Sequence, residues 1–299
     1  MQWCAWVVIG LGLAAGCGSV QSKADAGGDG NRDAPAQQDA PPAAACDVAK
    51  PFGVPIQVAG IHDANADDTH ATLSADELTI FFASDRAGNG IWHIYSATRA
   101  AKTDSFGAPT LLAGSFSTQG ESHPSVSPDG NTIYYDSFRT SAGTVHIFTS
   151  TRSSPAVQFP AATMITGDFL TDPAITSDGS VLYAANLSTG GLVRLDRSGS
   201  GFGAPQDVAL GASSSVVSPV TNDDLTMFMS FGDTVGGQIA MTRRTSTSTG
   251  FPAPAAVAEL ASSNSIAEPS WLSSDSCRLY LTYGGGSVKQ TIFVATRPQ

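Results

Sequence analysis

Charged side chains are scarce in this chain, and basic ones most of all. Of its 299 residues 14% are charged, and 15 Lys and Arg stand against 26 Asp and Glu, which gives a formal net charge of −11. Proteins that bind nucleic acid present a basic surface to the phosphate backbone. The composition therefore argues against a nucleic-acid partner.

Helical patterns and familiar catalytic motifs are also missing. No stretch between residues 51 and 299 repeats apolar residues at the 3.6-residue period of a capped helix. The chain has no G-x-S-x-G nucleophile elbow, no H-E-x-x-H metal motif and no phosphate-binding glycine loop. The sequence therefore predicts an all-β protein, and it assigns no catalytic residue, no metal and no cofactor.

No apolar run is long enough to cross a bilayer. Residues 5–16 are almost entirely apolar, but a spanning helix needs about 20 such residues, and this run has the length of a secretory signal. It ends at Leu13-Ala-Ala-Gly16-Cys17, which resembles a bacterial lipobox. The resemblance implies that residues 1–17 are a lipoprotein signal peptide and that Cys17 is diacylated and becomes the mature N-terminus. An ordinary signal peptide with an incidental cysteine is the alternative.

A block of about fifty residues occurs five times in the rest of the chain. Each copy holds a turn in which Ser or Thr precedes an Asp by two positions, and the Asp residues are 53, 49, 45 and 52 residues apart: Asp76, Asp129, Asp178, Asp223 and Asp275. A β-branched and aromatic run, a glycine-containing loop and a further strand follow each turn. The further strand ends at or near an arginine: Arg99, Arg152, Arg197, Arg243 or Arg297. A fixed period of this length is typical of a propeller, a solenoid or an array.

The two ends of the repeat array complement each other. Four copies contain a fourth-strand signature that begins with phenylalanine, at Phe106, Phe159, Phe202 and Phe251, and the fifth copy has none. Phe52-Gly-Val-Pro55 precedes the first copy and has no block of its own. If residues 53–58 supply the outer strand of the last blade, the strands balance and no sheet edge stays open. We therefore predict a five-bladed β-propeller over residues 51–299, closed by its N-terminal strand.

The first two copies carry a repeat signature. Leu73 to Arg86 and Pro124 to Tyr135 resemble the WD40-like repeat of TolB-type propellers, and the resemblance extends over all five copies. It implies a β-propeller that in bacteria is usually extracytoplasmic and often has no known activity.

Between the signal peptide and the propeller, residues 18–50 contain hardly a large apolar side chain. They cannot bury enough surface to offset the entropy of ordering, so we expect a flexible linker with a reach on the order of 30 Å. Behind Cys17 only Cys46 and Cys277 remain, and the closure argument places both in the last blade. The sequence allows either a disulfide between them in an oxidising envelope or two free thiols.

Polar residues recur just before the predicted innermost strand of a blade: His70, His123, Asp172 and Glu268, with Asp68 and Glu121 nearby. Propeller geometry brings these equivalent positions around the channel, and Val217 and Ser218 are expected to interrupt the ring in blade four. Such a ring can hold a divalent cation or a small polar ligand. Alternatively, these side chains only orient the entering strands, and no pair has the short spacing of a metal motif.

Two classes of function remain. A glycoside hydrolase needs a carboxylate pair at the channel mouth, but the blades are short and uniform, without an inserted loop to shape a sugar site. Trp92 and Trp271 fall in predicted strands, where core packing explains them. We therefore favour a non-enzymatic interaction scaffold that binds an envelope protein, peptide or glycan at a propeller face.

The leader also predicts where the protein resides. Gly18 and Ser19 follow Cys17, and in lipoproteins the absence of Asp there favours the outer membrane. We expect a monomer that contacts the membrane only through its lipid and faces the periplasm or the cell surface.

Overall fold

The computed structural model describes residues 46–112, 120–141, 143–211, 216–231, 237–262 and 265–299. The predicted signal peptide with Cys17, and residues 18–45 of the predicted linker, lie outside the described residues. The described residues form twenty-one strands and one three-residue 3₁₀ turn, Ala258–Leu260. Among them there is no helix with the length and apolar character needed to span a membrane.

The strands assemble into five antiparallel sheets, which are the blades of the predicted propeller. The chain begins with β1 (Ile56–Gln57). Blade one contains β2 (Asp68–Leu73), β3 (Thr79–Ser84), β4 (His93–Thr98) and β5 (Thr110–Leu111). Blade two contains β6 (Glu121–Val126), β7 (Thr132–Ser141), β8 (Thr144–Thr151) and β9 (Thr163–Met164). Blade three contains β10 (Leu170–Ile175), β11 (Val181–Asn186), β12 (Gly191–Ser198), the short β13 (Gly201–Phe202) and β14 (Gln206–Val208).

The last two blades follow the same order from inside to outside. Blade four contains β15 (Val216–Thr221), β16 (Thr226–Phe231), β17 (Ile239–Arg243) and β18 (Ala255–Ala256). Blade five contains β19 (Ile266–Leu272), β20 (Arg278–Gly285) and β21 (Val288–Thr296), with β1 as its outermost strand.

The N-terminal strand closes the ring, as the sequence predicts. β1 pairs antiparallel with β21, and Ile56 lies opposite Val294. The pairing continues beyond the strand, because the Gly53 amide donates to the Thr296 carbonyl over 2.9 Å. Blade five therefore takes its outer edge from the residues that precede blade one.

The turn between the first two strands of a blade follows from its sequence. In blade two the Ser127 hydroxyl donates to Asp129 over 2.5 Å, and the Asn131 amide donates to the same carboxylate over 3.0 Å. Gly130 has a φ of 69°, which glycine adopts without steric cost. The Ser or Thr and the Asp form the same hydrogen bond in blades one, three and five: Ser74 with Asp76, Thr176 with Asp178, and Ser273 with Asp275.

An arginine stacked on a phenylalanine fastens each blade. The arginine lies near the end of the third strand or directly after it, and its guanidinium lies 4.0 to 4.6 Å from the centroid of the ring: Arg99 and Phe106, Arg152 and Phe159, Arg197 and Phe202, Arg244 and Phe251, Arg297 and Phe52. β17 ends at Arg243, as the sequence predicts, and the side chain of Arg243 is exposed, so the stacked arginine of blade four is its neighbour Arg244. Each of the stacked arginines also donates from Nε to a carbonyl of the first turn of its blade.

Five apolar layers, one between each pair of neighbouring blades, make up the core. Alternation along the second strand directs one buried aromatic ring of each blade into a layer: Phe81, Tyr134, Tyr183, Phe228 and Tyr280. Phe52 packs edge-on against Phe228 with centroids 5.8 Å apart, as Phe159 does against Phe81 at 6.3 Å. The N-terminal segment therefore completes the layer between blades four and five.

Residues 46–50, which the sequence assigns to the linker, lie against blade five. A disulfide joins Cys46 to Cys277, with their Cα atoms 5.7 Å apart. The Asp47 amide donates to the Pro298 carbonyl over 3.0 Å. These contacts tie the start of the described chain to its C-terminal residues.

Candidate functional site

The five innermost strands surround the central channel, and each contacts the innermost strands of both neighbouring blades. Their first halves carry the recurring polar residues, and their last residues lead into the recurring turns. We call the end of the channel formed by His70, His123, Asp172, Ser218 and Glu268 the histidine mouth.

A β-bulge aims these side chains into the channel. In blades one to four the register between the first two strands shifts at His70, His123, Asp172 and Ser218, and the φ angles of these residues are 51°, 48°, 54° and 49°. Positive φ is uncommon outside glycine, although His and Asp adopt it more readily than most residues. In blade five the shift lies between Pro269 and Trp271, so Glu268 precedes the bulge. Bulges of this kind redirect a side chain at a functional position.

The structure brings the four predicted residues together. Nε2 of His70 lies 3.1 Å from Oε2 of Glu268, and Nε2 of His123 lies 2.8 Å from Oδ1 of Asp172. The two imidazole rings have centroids 3.8 Å apart. Blade four supplies neither an imidazole nor a carboxylate to the ring, and the Ser218 hydroxyl lies 3.4 Å from Nε2 of His70.

Asp136 is a member of the cluster that sequence reasoning missed. This residue of β7 is 1% exposed, and its Oδ2 lies 2.7 Å from Nδ1 of His123. Its carboxylate also accepts hydrogen bonds from Ser122 and Thr171. The sequence does hold one signal for Asp136: it is a charged residue directly after the aromatic residues Tyr134 and Tyr135. The repeat pattern predicts a strand there and gives no reason to assign that residue to a site.

Charge pairing sets the protonation of this cluster. Burial lowers the pKa of His123, but the Asp136 and Asp172 carboxylates outweigh burial and hold that pKa well above its ordinary value. Burial raises the pKa of both carboxyl groups, and His123 outweighs it in turn, so that both pKa values lie below the usual range. The three residues therefore form a chain of alternating charge, with an imidazolium between two carboxylates.

Asp68 and Glu121 do not join the cluster. Asp68 forms an ion pair with Arg86 at 2.5 Å. Glu121 lies 3.3 Å from His93 and 3.5 Å from Arg139. Each carboxylate is about 1% exposed, so these two residues lie inside their blades and not at the mouth.

Three residues of the cluster can hold a cation. His70, His123 and Asp172 each offer one ligand atom, and these atoms lie within 4.8 Å of one another. A cation bound there would take the place of a proton on His123, since only neutral imidazole binds a metal.

A cavity of about 350 Å³ opens at the histidine mouth. His123, Asp172 and Glu268 form its polar wall, and Phe138 and Leu187 form part of its apolar wall. Phe138 is 41% exposed and Leu187 is 55% exposed. A ligand with both polar and apolar groups would find partners for each.

A second cavity, of about 220 Å³, lies at the opposite end of the channel, where the turns meet. Trp271 lines it and also stands edge-on to Tyr280 with ring centroids 5.6 Å apart. Core packing is therefore only part of the role of Trp271. Trp92 precedes β4 and does not lie in the strand as expected.

Comparison with known proteins supports the fold. No protein family matches the chain, and no curated protein matches it either. A structure assigned as TolB from Agrobacterium tumefaciens aligns over 81% of this chain and 78% of its own, with a TM-score of 0.52 and 14% identity. The catalytic domain of the Coprinopsis cinerea GH62 α-L-arabinofuranosidase aligns over 83% and 97%, with a TM-score of 0.52 and 14% identity.

TolB from Acinetobacter baumannii aligns over 78% of this chain with a TM-score of 0.48 and 15% identity, and the chain spans 56% of its length. The class defined by these observations is the five-bladed β-propeller. The chain also aligns with a structure assigned as TolB, as its WD40-like repeats predict. The same fold serves a TolB protein and a glycosidase, so it does not select between the two classes of function.

Proposed function

We propose that this protein is a non-enzymatic binding protein of the bacterial envelope, whose propeller captures an envelope protein, peptide or glycan at one of its faces. The observation that carries the proposal is the pairing of Asp172 with His123 and of Glu268 with His70 at the histidine mouth. Carboxylates held in this way give the mouth a fixed polar pattern for recognition.

The hydrolase alternative needs two carboxyl groups that are free to exchange protons with a sugar and a water. All four candidates are engaged within the protein: Asp172 and Glu268 by histidines, Asp68 by Arg86, and Glu121 by His93 and Arg139. The geometry therefore supports recognition better than acid and base catalysis.

The location is part of the same proposal. Lipidation of Cys17 would anchor the chain to the outer membrane, with the propeller as a monomer facing the periplasm or the cell surface. The Cys46–Cys277 disulfide is compatible with this location, because disulfides persist in oxidising compartments. Mass spectrometry of the mature protein tests the anchor: a diacylglyceryl group on Cys17 supports it, and an unmodified tryptic peptide that spans Cys17 contradicts it.

Capture from the envelope tests the binding function. The full chain with an affinity tag is cross-linked in detergent-solubilised envelope, purified, and compared with an unfolded, reduced sample of the same chain. We expect one envelope component to be retained by the folded chain and lost from the unfolded sample. Retention of the same components by both samples would contradict a specific binding face.

A further inference from the structure

We propose that the histidine mouth is a binding site for a divalent transition-metal cation of the zinc type, with His70, His123 and Asp172 as ligands. The proposal goes beyond the binding function, since a propeller can capture a partner without a metal. Four features of the described residues carry it: the meeting of the ligand atoms, the support of both imidazoles, a buried carboxylate that faces them and strained backbone at every ligand.

The ligand atoms come from three successive blades and meet at the channel axis. All of them lie within 4.8 Å of one another. Zinc binds imidazole nitrogen and carboxylate oxygen at about 2.0–2.2 Å, so atoms up to about 4 Å apart share one ion. Small side-chain rotations therefore bring the whole set into coordination distance.

Both imidazoles are held from the side that faces away from the site. Nδ1 of His70 lies 2.8 Å from the hydroxyl of Thr69, and Nδ1 of His123 lies 2.7 Å from the carboxylate of Asp136. Metal-binding histidines almost always use their second nitrogen in this way, which fixes the ring and makes the first nitrogen a better donor. Nε2 of each ring faces a carboxylate, Glu268 for His70 and Asp172 for His123, and is the atom that would bind a cation once it carries no proton.

Asp172 supplies the carboxylate. It is 6% exposed, and its Oδ1 accepts no aligned hydrogen bond from the described residues, although Nε2 of His123 lies 2.8 Å away. A buried carboxylate is costly unless it is paired or coordinates a cation. A cation between Asp172 and the two imidazoles would take over the pairing that protonated His123 provides.

The backbone is strained at each of the three ligands. Their φ values of 51°, 48° and 54° lie in a region that costs a non-glycine residue on the order of 1–3 kcal/mol. Pro124 and Pro173 directly follow two of them and further restrict the backbone. Backbone strain persists where the surrounding structure holds it in place, and it clusters at functional sites. At His70, His123 and Asp172 it directs the three side chains into the channel.

The donors select the type of cation. Two imidazole nitrogens and one carboxylate favour zinc, cobalt or nickel, whereas calcium and magnesium prefer sites built from oxygen alone. Glu268 lies 3.1 Å from Nε2 of His70, so a second carboxylate stands beside the site. An ion here would join the innermost strands of blades one, two and three, and we expect it to stabilise the propeller against thermal unfolding.

Titration with zinc tests the site. The full chain is stripped with EDTA, dialysed at pH 7.5 and titrated with Zn²⁺ in a calorimeter, and Co²⁺ is added to a second sample to record its visible spectrum. We expect one zinc ion per chain, a higher melting temperature with zinc, and the absorption of four- or five-coordinate cobalt with nitrogen and oxygen donors. No saturable zinc binding, or only the spectrum of hydrated cobalt, would overturn the proposal.

Variants assign the ligands. His70→Gln and His123→Gln should each abolish zinc binding in the calorimeter. Asp136→Asn should weaken zinc binding about 10- to 100-fold, because it releases Nδ1 of His123. His62→Gln removes an exposed histidine outside the cluster and should bind zinc as the wild type does. Zinc binding that survives in both His70→Gln and His123→Gln would overturn the assignment of these ligands. If a variant fails to fold, the cobalt spectrum of the wild type shows whether the bound ion has nitrogen donors, and a spectrum of hydrated cobalt overturns the assignment.

The zinc experiment and the capture experiment fail independently. Capture is repeated in EDTA and in zinc. A chain that captures its partner but binds no zinc refutes this inference and leaves the binding function in place. A chain that binds one zinc ion but captures nothing supports the metal site and counts against the proposed function.

Discussion

The guanidinium of Arg297 lies over the ring of Phe52, with 4.0 Å between its central carbon and the ring centroid. The two residues come from opposite ends of the propeller, yet their contact repeats one that the other blades make within a single block, such as Arg152 over Phe159 at 4.3 Å. Arg297 also donates to the Val48 carbonyl over 2.9 Å. The ring therefore closes with the contact that fastens every other blade.

Arg297→Lys tests this closing contact. Lysine keeps the charge but loses the planar fork that stacks on a ring and donates to several carbonyls. We expect the free energy of unfolding to fall by about 1–3 kcal/mol, measured by denaturant unfolding. Arg243→Lys is the matched control, because Arg243 is exposed at the end of β17 and should change little. Equal effects of the two substitutions would contradict the role given to Arg297.

Truncation tests closure by the N-terminal strand. A variant that lacks residues 1–60 loses Phe52 and β1, which exposes the edge of β21 and should cause aggregation or unfolding. A variant that lacks residues 1–45 keeps every described contact and is the matched control. Size-exclusion chromatography and thermal melting compare the two, and equal melting temperatures would refute closure by β1.

The Cys46–Cys277 disulfide should stabilise the same junction. It spans a sequence separation of 231 residues, and loss of a disulfide that closes so long a loop costs about 2–5 kcal/mol. Cys46→Ser, Cys277→Ser and the double variant should lower the melting temperature by the same amount, since each removes one bond. Additive losses, or alkylation of both thiols without reduction, would show that the bond is absent.

Acid should weaken the recurring turns. The hydroxyl of Ser127 lowers the pKa of Asp129, and hydrogen bonds from the Ser180 amide and the Thr176 hydroxyl lower the pKa of Asp178. A carboxyl group with a lowered folded-state pKa adds stability above its ordinary pKa of about 3.9, and that stability is lost as the pH falls through the folded value.

The variant Asp129→Asn, Asp178→Asn isolates this effect. Asparagine keeps the turn hydrogen bonds but has no proton to exchange. Between about pH 5 and pH 2, where folded and unfolded carboxyl groups differ in protonation, its stability should depend less steeply on pH than that of the wild type. Parallel pH profiles for the two proteins would contradict a contribution from these turns.

The repeat architecture could be predicted because each blade has a local sequence pattern of turn and strand residues. The turn at Ser127 and Asp129 and the surplus strand at Phe52 follow from short-range hydrogen bonding and from strand pairing, which sequence patterns record. The stacking of an arginine on a phenylalanine was not predicted, and in blade four, where Arg243 and Arg244 are adjacent, only packing against Phe251 distinguishes them.

The site could be predicted only in part. Equivalent positions in the repeat identify His70, His123, Asp172 and Glu268, although each is the third residue of an innermost strand and does not precede the strand as predicted. Asp136 could not be found in this way, because it reaches the cluster from a second strand, and the equivalent second-strand residues of the other blades, Ala83, Ala185, Ser230 and Thr282, carry no charge. The bulge at each ligand depends on tertiary packing and leaves no mark in hydrophobic periodicity.

Hydrolysis is the measurement that tests the central claim most directly. The full chain, with and without zinc, is incubated with aryl glycosides, xylotriose and aryl esters beside the double variant Asp172→Asn, Glu268→Gln, and initial rates are recorded. We expect rates equal to those of the buffer for both proteins, because the carboxylates of the histidine mouth are paired with histidines. A measurable wild-type rate that disappears in the folded double variant would make these two residues the acid and base of an enzyme.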